Sequence, residues 1–326
     1  MIIPPRYFLT PKISELLQSI EGCKEVINNI NIPPEVELNL RRRSALKSSL
    51  FSARIEGNPL TLEEVTRNPS NDQKRREVYN ILRALNWLRR RSFRDLTKSN
   101  ITLLHEITMK DLVEKHDLGK FRTEVSAIYN SAGIAIYLPP PPRQISSLLD
   151  KLIKFLNSDK EPFVPIRACL AHYTFEKIHP FLDGNGRVGR LLFQAILGKS
   201  GYSFKGVTLI EEYLDQNRSI YYRMLEETEK DVTDYLEFML EGLSETAQQA
   251  KKLVLQKKES TVEDMLLPRR GEILNIIRDH KLVNFDIIRR RFLKVNERTL
   301  RYDIKKLVDM GLVKKLGTTR GVYYKT

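Results

Sequence analysis

Cysteine is nearly missing from this chain of 326 residues: Cys23 and Cys169 stand far apart and in no CxxC spacing. That argues against a disulfide framework or a thiolate metal cluster, and makes both reduced core residues. Long apolar runs are missing too, since none approaches the ~20 residues a membrane span requires. The opening Met1-Ile-Ile-Pro-Pro-Arg6 lacks the basic-then-apolar layout of a signal peptide, so a cytoplasmic protein without membrane contact is expected. There is no internal repeat, and no low-complexity tract beyond the prolines at 139–142.

What is present is charge of one sign. The formal net charge is +14, and Leu267–Thr326 holds 16 Lys and Arg against 6 Asp and Glu, so 16 − 6 = +10 lies in the last 60 residues. An anionic partner is expected for that segment. With 41% hydrophobic residues the chain can build more than one core, because single cores split beyond ~250–300 residues.

Apolar spacing predicts helices over Ile13–Ile30, Arg41–Ile55 and Gln73–Leu88, with Arg75, Arg76 and Arg89–Arg91 on a solvated face. Between Arg122 and Leu138 the period shifts to two: Val125, Ala127 and Tyr129, then a turn at 130–133, then Ile134, Ile136 and Leu138 predict a β-hairpin. Helices resume over Gln144–Leu156, Pro165–Ile178, Arg187–Leu197, Glu211–Glu229 and Val232–Glu259. Lys257–Pro268 reads as a linker. Beyond it, helical patterns over Gly271–Asp279, Phe285–Phe292 and Glu297–Met310 precede strands at Leu312–Leu316 and Gly321–Lys325, the order of a winged helix. The fold class expected is mainly α: a helical core with a small hairpin flap, followed by a winged helix-turn-helix domain.

One stretch concentrates chemistry. Residues 179–190 read HPFLDGNGRVGR. His179 can take a proton near neutral pH, Asp183 can hold a divalent cation, and Gly184, Asn185 and Gly186 can present backbone N–H groups to an anion at a helix start. Arg187 and Arg190, three apart, can reach phosphate oxygens with charge-assisted bonds. His172 lies seven residues before His179 and reads as a packed or supporting histidine.

This stretch resembles, without a mismatch, the HxFx(D/E)GNGRxxR motif of the Fic (filamentation induced by cAMP) family, whose members typically transfer AMP from ATP to a protein hydroxyl. The related Doc toxins transfer phosphate and generally carry lysine where Gly186 stands. The resemblance implies His179 as general base, Asp183 as Mg²⁺ ligand, Gly184, Asn185 and Gly186 as a cradle for the α- and β-phosphates, and Arg190 as the γ-phosphate contact. It extends to Tyr7-Phe-Leu-Thr-Pro-Lys-Ile13, to a flap at 122–140 that docks a target protein by strand addition, and to Asn217 and Tyr221 near the adenosine. The implied organisation is a helical region over 1–100 with an inhibitory helix around 41–57, a Fic core over 101–259 and a winged helix over 260–326.

Ser52-Ala-Arg-Ile-Glu56-Gly57 is similar to the (S/T)xxxE(G/N) inhibitory motif of the family's second class. Glu56 would then pair with Arg190 and displace the γ-phosphate. In the C-terminal part Asn296 could cap a recognition helix, with Arg298, Thr299, Arg301 and Lys305 as contacts to nucleic acid and Arg320 on the wing. The alternative expectation is a DNA-binding transcriptional regulator that senses nucleotide without turning it over. A homodimer also stays open.

Overall fold

The computed structural model describes residues 1–67, 72–90, 96–129, 135–207, 210–226, 231–256, 266–293, 295–317 and 321–326. It is mainly helical. The chain divides into two compact units, one comprising Met1–Asn29 with Arg41–Leu253, the other Ile30–Leu40 with Val254–Thr326.

In the first unit, α1 (Pro11–Asn29) buries Ile13, Ile20 and Ile27 along one stripe, as its spacing predicts. Helix α2 runs Pro34–Ile55, starting at Pro34 and not at Arg41. Proline is tolerated in a first helical turn, where its missing N–H has no partner to lose, so Pro33-Pro34 opens this helix instead of only closing the one before. Helices α3 (Leu62–Arg67) and α5 (Lys98–Met109) escape the periodicity reading, whereas α4 (Gln73–Arg90) follows it. Helix α5 begins in a capping box in which Asn100 replaces the usual Glu or Gln: Asn100 N–H donates to the Thr97 side chain.

The hairpin is shorter than its alternation suggests. Strands β1 (Ile128–Tyr129) and β2 (Ala135–Tyr137) pair antiparallel, with Ile128 opposite Tyr137, and Arg122–Ala127 is not strand. Its expected turn at 130–133 lies outside the described residues, as do Arg91, Arg320 and most of the linker. Helix α6 (Pro142–Leu156) then leads to the central pair, α7 (Val164–Ile178) and α8 (Asn185–Lys199), which pack on each other. Helix α7 is buried on all faces, His172, Thr174, Glu176 and Lys177 included. A 3₁₀ turn at Phe204–Gly206 follows α8.

The single helix expected over 211–229 is two helices in its described part: α9 (Ile210–Gln216) and α10 (Arg218–Glu226) are separated at Asn217. Asn217 Nδ2 donates to the Tyr213 carbonyl at 3.0 Å, beside the backbone bond its own N–H makes to the same oxygen at 3.0 Å. Helix α11 (Thr233–Gln256) carries the N-terminal segment: Val232 N–H donates to the Arg6 carbonyl at 2.9 Å and Thr10 Oγ1 to Glu237 Oε1 at 2.6 Å. Cys23 and Cys169 are both free and buried.

The second unit contains α12 (Pro268–His280), α13 (Phe285–Arg291) and α14 (Glu297–Asp309), with β3 (Val283–Asn284), β4 (Lys314–Leu316) and β5 (Tyr323–Lys325) in an antiparallel sheet of order β3-β5-β4. Strand β3 is too short for an alternation signal and is absent from the sequence reading. Ile273, Ile277, Val283, Ile288, Leu300, Ile304 and Leu307 form the core. Buried Asp303 accepts from Arg269 Nε at 2.5 Å and Arg270 Nε at 2.9 Å, fixing α14 to the start of α12. No helix is long and apolar enough to cross a membrane among the described residues.

Candidate active site

The site is built where α7 ends and α8 begins. His179 terminates α7 in the left-handed region, φ 48° and ψ 61°, which a non-glycine residue occupies only when its surroundings hold it there. Arg122, itself 3% exposed, supplies that hold: its Nε donates to the His179 carbonyl at 2.8 Å and its Nη2 to the Pro140 carbonyl at 2.6 Å. The same guanidinium therefore holds both the end of α7 and the segment that follows β2. The His179 Nδ1 lies 3.3 Å from the Glu176 carbonyl. Burial, helped by the charge of Arg122, pushes the imidazole pKa down to about 4, so it is neutral and able to accept a proton at pH 7.

The loop after His179 is braced from within. Asn185 is buried, accepting from Phe181 N–H at 2.9 Å through Oδ1 and donating to the Phe181 carbonyl at 2.8 Å through Nδ2. Its side chain thus shapes the loop, which leaves its backbone N–H as the group it can offer an anion. Gly184, at φ 82°, precedes α8, and no side chain caps that helix end. The N–H groups of Asn185, Gly186 and Arg187 form its first turn.

Asp183 is 60% exposed at its side chain, with Oδ1 accepting from Gly184 N–H at 2.5 Å and from Arg187 Nη2 at 2.7 Å. Its carbonyl is held by His105, a residue the sequence reading missed. Gly119 N–H donates to His105 Nδ1 at 2.9 Å, so the ring carries its proton on Nε2, which donates to the Asp183 carbonyl at 3.1 Å. His105 also stacks on Phe181 with centroids 3.9 Å apart. Its pKa falls to about 4 by burial.

The two motif arginines diverge. Arg187 pairs with Asp183 and, through Nη1, with Glu77 Oε1 at 2.6 Å. Arg190, 2% exposed, donates from Nε to Ser52 Oγ at 3.0 Å and from Nη2 to the Ser52 carbonyl at 2.9 Å and Glu56 Oε1 at 2.7 Å. Glu56 stands in the turn that ends α2, where Gly57 takes φ 93°. Its carboxylate reaches so far over the α8 start that a Cβ on Gly186 would lie 2.5 Å from Glu56 Oε1. Ser52, Glu56, Gly186 and Arg190 are thus brought into one contact set.

Glu77 could not be found from spacing, because α4 is distant in sequence; its Oε2 also accepts from Asn58 Nδ2 at 2.9 Å, just past Glu56. Tyr221 is not at the site surface. It is buried in the core beneath, its hydroxyl 3.1 Å from His172 Nε2, while Tyr222 reaches the end of α2 by donating to the Ile55 carbonyl at 2.9 Å. His172 is buried, as a packed histidine would be, with Glu176 Oε1 3.8 Å from its Nε2. Glu176 is buried, which raises its pKa to about 8, and Oε1 has no hydrogen-bond partner. In the second unit Asn296 caps α14 by accepting from Arg298 N–H at 2.8 Å; Arg298, Arg301 and Lys305 are exposed and Thr299 is half-buried.

The Fic/DOC family model matches residues 95–197. Those residues form a Fic domain. Over 252 residues the chain is 27% identical to "Protein adenylyltransferase Fic" of Drosophila erecta, covering 71% of this chain and 46% of that protein. The chain thus spans about half the length of the curated relatives it matches. The crystal structure of a Fic family protein from Desulfovibrio desulfuricans matches 98% of this chain and 97% of its own, with a TM-score of 0.69 and 23% identity. That of Fic-1 from C. elegans matches 74% and 72%, with a TM-score of 0.61 and 20% identity. These two likenesses bear on the fold. The name shared by the Drosophila relatives bears on the chemistry.

Proposed function

We propose that this chain is a protein adenylyltransferase, moving AMP from ATP to a hydroxyl of a target protein and of itself, with Glu56 restraining it. The observation that carries this reading is the Fic loop with Glu56 Oε1 at 2.7 Å from Arg190 Nη2. In the transfer, the acceptor hydroxyl oxygen bonds to the α-phosphorus, the bond from that phosphorus to the oxygen bridging the β-phosphate breaks, and pyrophosphate leaves. His179 accepts the hydroxyl proton, and its neutral state at pH 7 suits that role. The uncapped N–H groups opening α8, reinforced by the helix dipole, suit the phosphate charge. Arg190 would hold the γ-phosphate, but the Glu56 carboxylate occupies it, which leaves the α-phosphorus out of line for attack.

Mg²⁺ suits the donors at Asp183. Its carboxylate is largely exposed and engages neighbours through Oδ1. Mg²⁺ keeps several waters and commonly needs only one or two carboxylates, and it would neutralise phosphate charge there. An extended segment of the target would add to the flap at 122–140, where Val125 and Leu138 are exposed.

For the second unit we propose a winged helix that binds DNA. Three helices with a three-stranded sheet support it, as does the basic exposed side of α14. A transcriptional regulator that only senses nucleotide would need the phosphate cradle but not a poised base, so the state of His179 favours the enzyme. The deciding measurement is labelled AMP incorporation from ATP and Mg²⁺. Glu56→Gly should exceed wild type on the order of 10²-fold, by freeing one charge-stabilising group for the transition state. Equal labelling overturns the restraint, and no labelling by either protein overturns the transferase.

A further inference from the structure

The inhibitory motif begins at Ser52, yet the face of α2 that bears it begins one turn earlier. Ser48, Ser52 and Glu56 stand four residues apart, a spacing that carries one face of α2 into the turn that follows it. On α8 the residues Gln194, Arg190 and Gly186 repeat that spacing in the opposite chain direction. The two series meet pair by pair. Gln194 Nε2 donates to Ser48 Oγ at 3.0 Å and Arg190 Nε to Ser52 Oγ at 3.0 Å. The Glu56 carboxylate accepts from Arg190 Nη2 at 2.7 Å and fills the space beside Gly186. The seam between α2 and α8 is therefore a ladder of three polar rungs, of which the motif names only two.

The rung at Ser48 is closed by a buried acid. Ser48 is 3% exposed and Glu211, in the first turn of α9, 1%. Ser48 Oγ donates to Glu211 Oε2 at 2.9 Å, and Gln194 Nε2 donates to Glu211 Oε1 besides Ser48. The serine hydroxyl thus both donates and accepts. A carboxyl at this depth is costly unless donors meet it, and its side-chain donors come from α2 and α8. Sliding α2 along α8 would therefore break bonds at Glu211 as well as at Arg190. One turn along α9, Asp215 Oδ2 pairs with Arg54 Nε at 3.2 Å and holds the end of α2 in the same register. A buried serine on α2 does not require such partners: Ser49, 0% exposed, bonds the Ala45 carbonyl of its own helix at 2.7 Å.

We infer that Ser48, Gln194 and Glu211 form a second latch of the restraint: they set the register of α2 on α8 and so keep Glu56 on Arg190. This rests on the restraint proposed above and adds three positioning residues to it. Ser48 precedes Glu56 by two helical turns, about 12 Å along the axis, so it acts on the site through α2 and not on the phosphates. With the latch open, α2 can shift by a fraction of a turn, and Glu56 leaves Arg190 more often.

The test reads hydrogen exchange at the amides of 52–57 together with labelled AMP incorporation. It uses the full chain as wild type, Ser48→Ala, Gln194→Leu, Ser49→Ala and Glu56→Gly, each checked by thermal melts. Ser48→Ala and Gln194→Leu should each speed exchange at 52–57 and raise labelling about 2- to 10-fold, the effect of one lost hydrogen bond. Gln194→Leu carries the test if Ser48→Ala fails to fold. Ser49→Ala should leave both readouts at wild type. Added to Glu56→Gly, Ser48→Ala should keep labelling within ~2-fold of Glu56→Gly alone, since the latch then has nothing to hold. Unchanged exchange in the latch variants, an equal rise in Ser49→Ala, or a larger change on top of Glu56→Gly overturns the latch. If Glu56→Gly exceeds wild type and neither latch variant does, the latch alone falls. If Glu56→Gly does not exceed wild type, the restraint itself falls, and the latch with it.

Discussion

Helices α8 and α14 each carry two arginines close together, and the two regions treat them in opposite ways. On α8, Arg187 and Arg190 are 6% and 2% exposed and paired to Asp183, Glu77 and Glu56. On α14, Arg298 and Arg301 face solvent; Arg301 lies over the Phe285 ring at 3.8 Å and within 3.8 Å of Glu297. A buried charge is costly unless partners meet it, so each buried arginine implies a set of carboxylates placed for it. An exposed arginine implies only a local field. Residue identity on α8 is thus tied to a specific geometry, and on α14 to a sign of charge.

Removing the base should give the largest effect. In a Glu56→Gly background, His179→Ala should lower the AMP transfer rate by about 10²–10⁴-fold, the range for a positioned general base. The same background gives a pH test: the active form is the unprotonated imidazole, and its folded pKa of about 4 means it persists as pH falls. The rate should therefore hold from pH 8 to about 5 and show no acid limb near 6.5. A limb at 6.5 would place the base in an open, hydrated setting.

Next comes Glu77, which joins Arg187 of α8 to Asn58, two residues past Glu56. Glu77→Ala leaves Arg187 buried with one carboxylate, so with the restraint removed the KM for ATP should rise ~10-fold with a smaller change in kcat. A Glu77→Gln variant, which keeps a hydrogen-bond acceptor, should recover part of that loss. Equal loss in kcat and kcat/KM would instead put Glu77 in the chemical step.

The smallest effects belong to α14. Lys305→Ala should weaken duplex DNA binding only a few-fold and lower the salt slope by about 1, uniformly across sequences. A loss confined to one DNA sequence would make α14 a reader of bases and bring it closer in kind to α8.

Much of the first unit's architecture was legible because apolar spacing reports burial directly, as in α1 and α6. The reading failed where a residue had two meanings. Pro34 starts a helix as readily as it ends one, and Asn217, where α9 gives way to α10, sits inside a run whose apolar spacing continues across it. Within the Fic loop, residue types were legible but their directions were not: Asn185 braces the loop with its side chain, and Tyr221 sinks beneath the site. Arg122, His105 and Glu77 were invisible because each acts through a contact more than 55 residues away, and no local pattern encodes such a partner. The Ser52–Glu56 segment was readable only through its likeness to a motif.

Gly186 joins two properties that a sequence alone would treat as separate. Its missing side chain leaves the space into which the Glu56 carboxylate extends, with Oε1 2.5 Å from where a Cβ would be. A lysine at 186, as in the phosphate-transferring relatives, and a restraining glutamate at 56 would compete for the same volume. Under the proposed function the two positions are epistatic: a descendant of this chain could not change its reaction at residue 186 while keeping Glu56 as a restraint, and would have to lose the old control before, or together with, gaining the new chemistry.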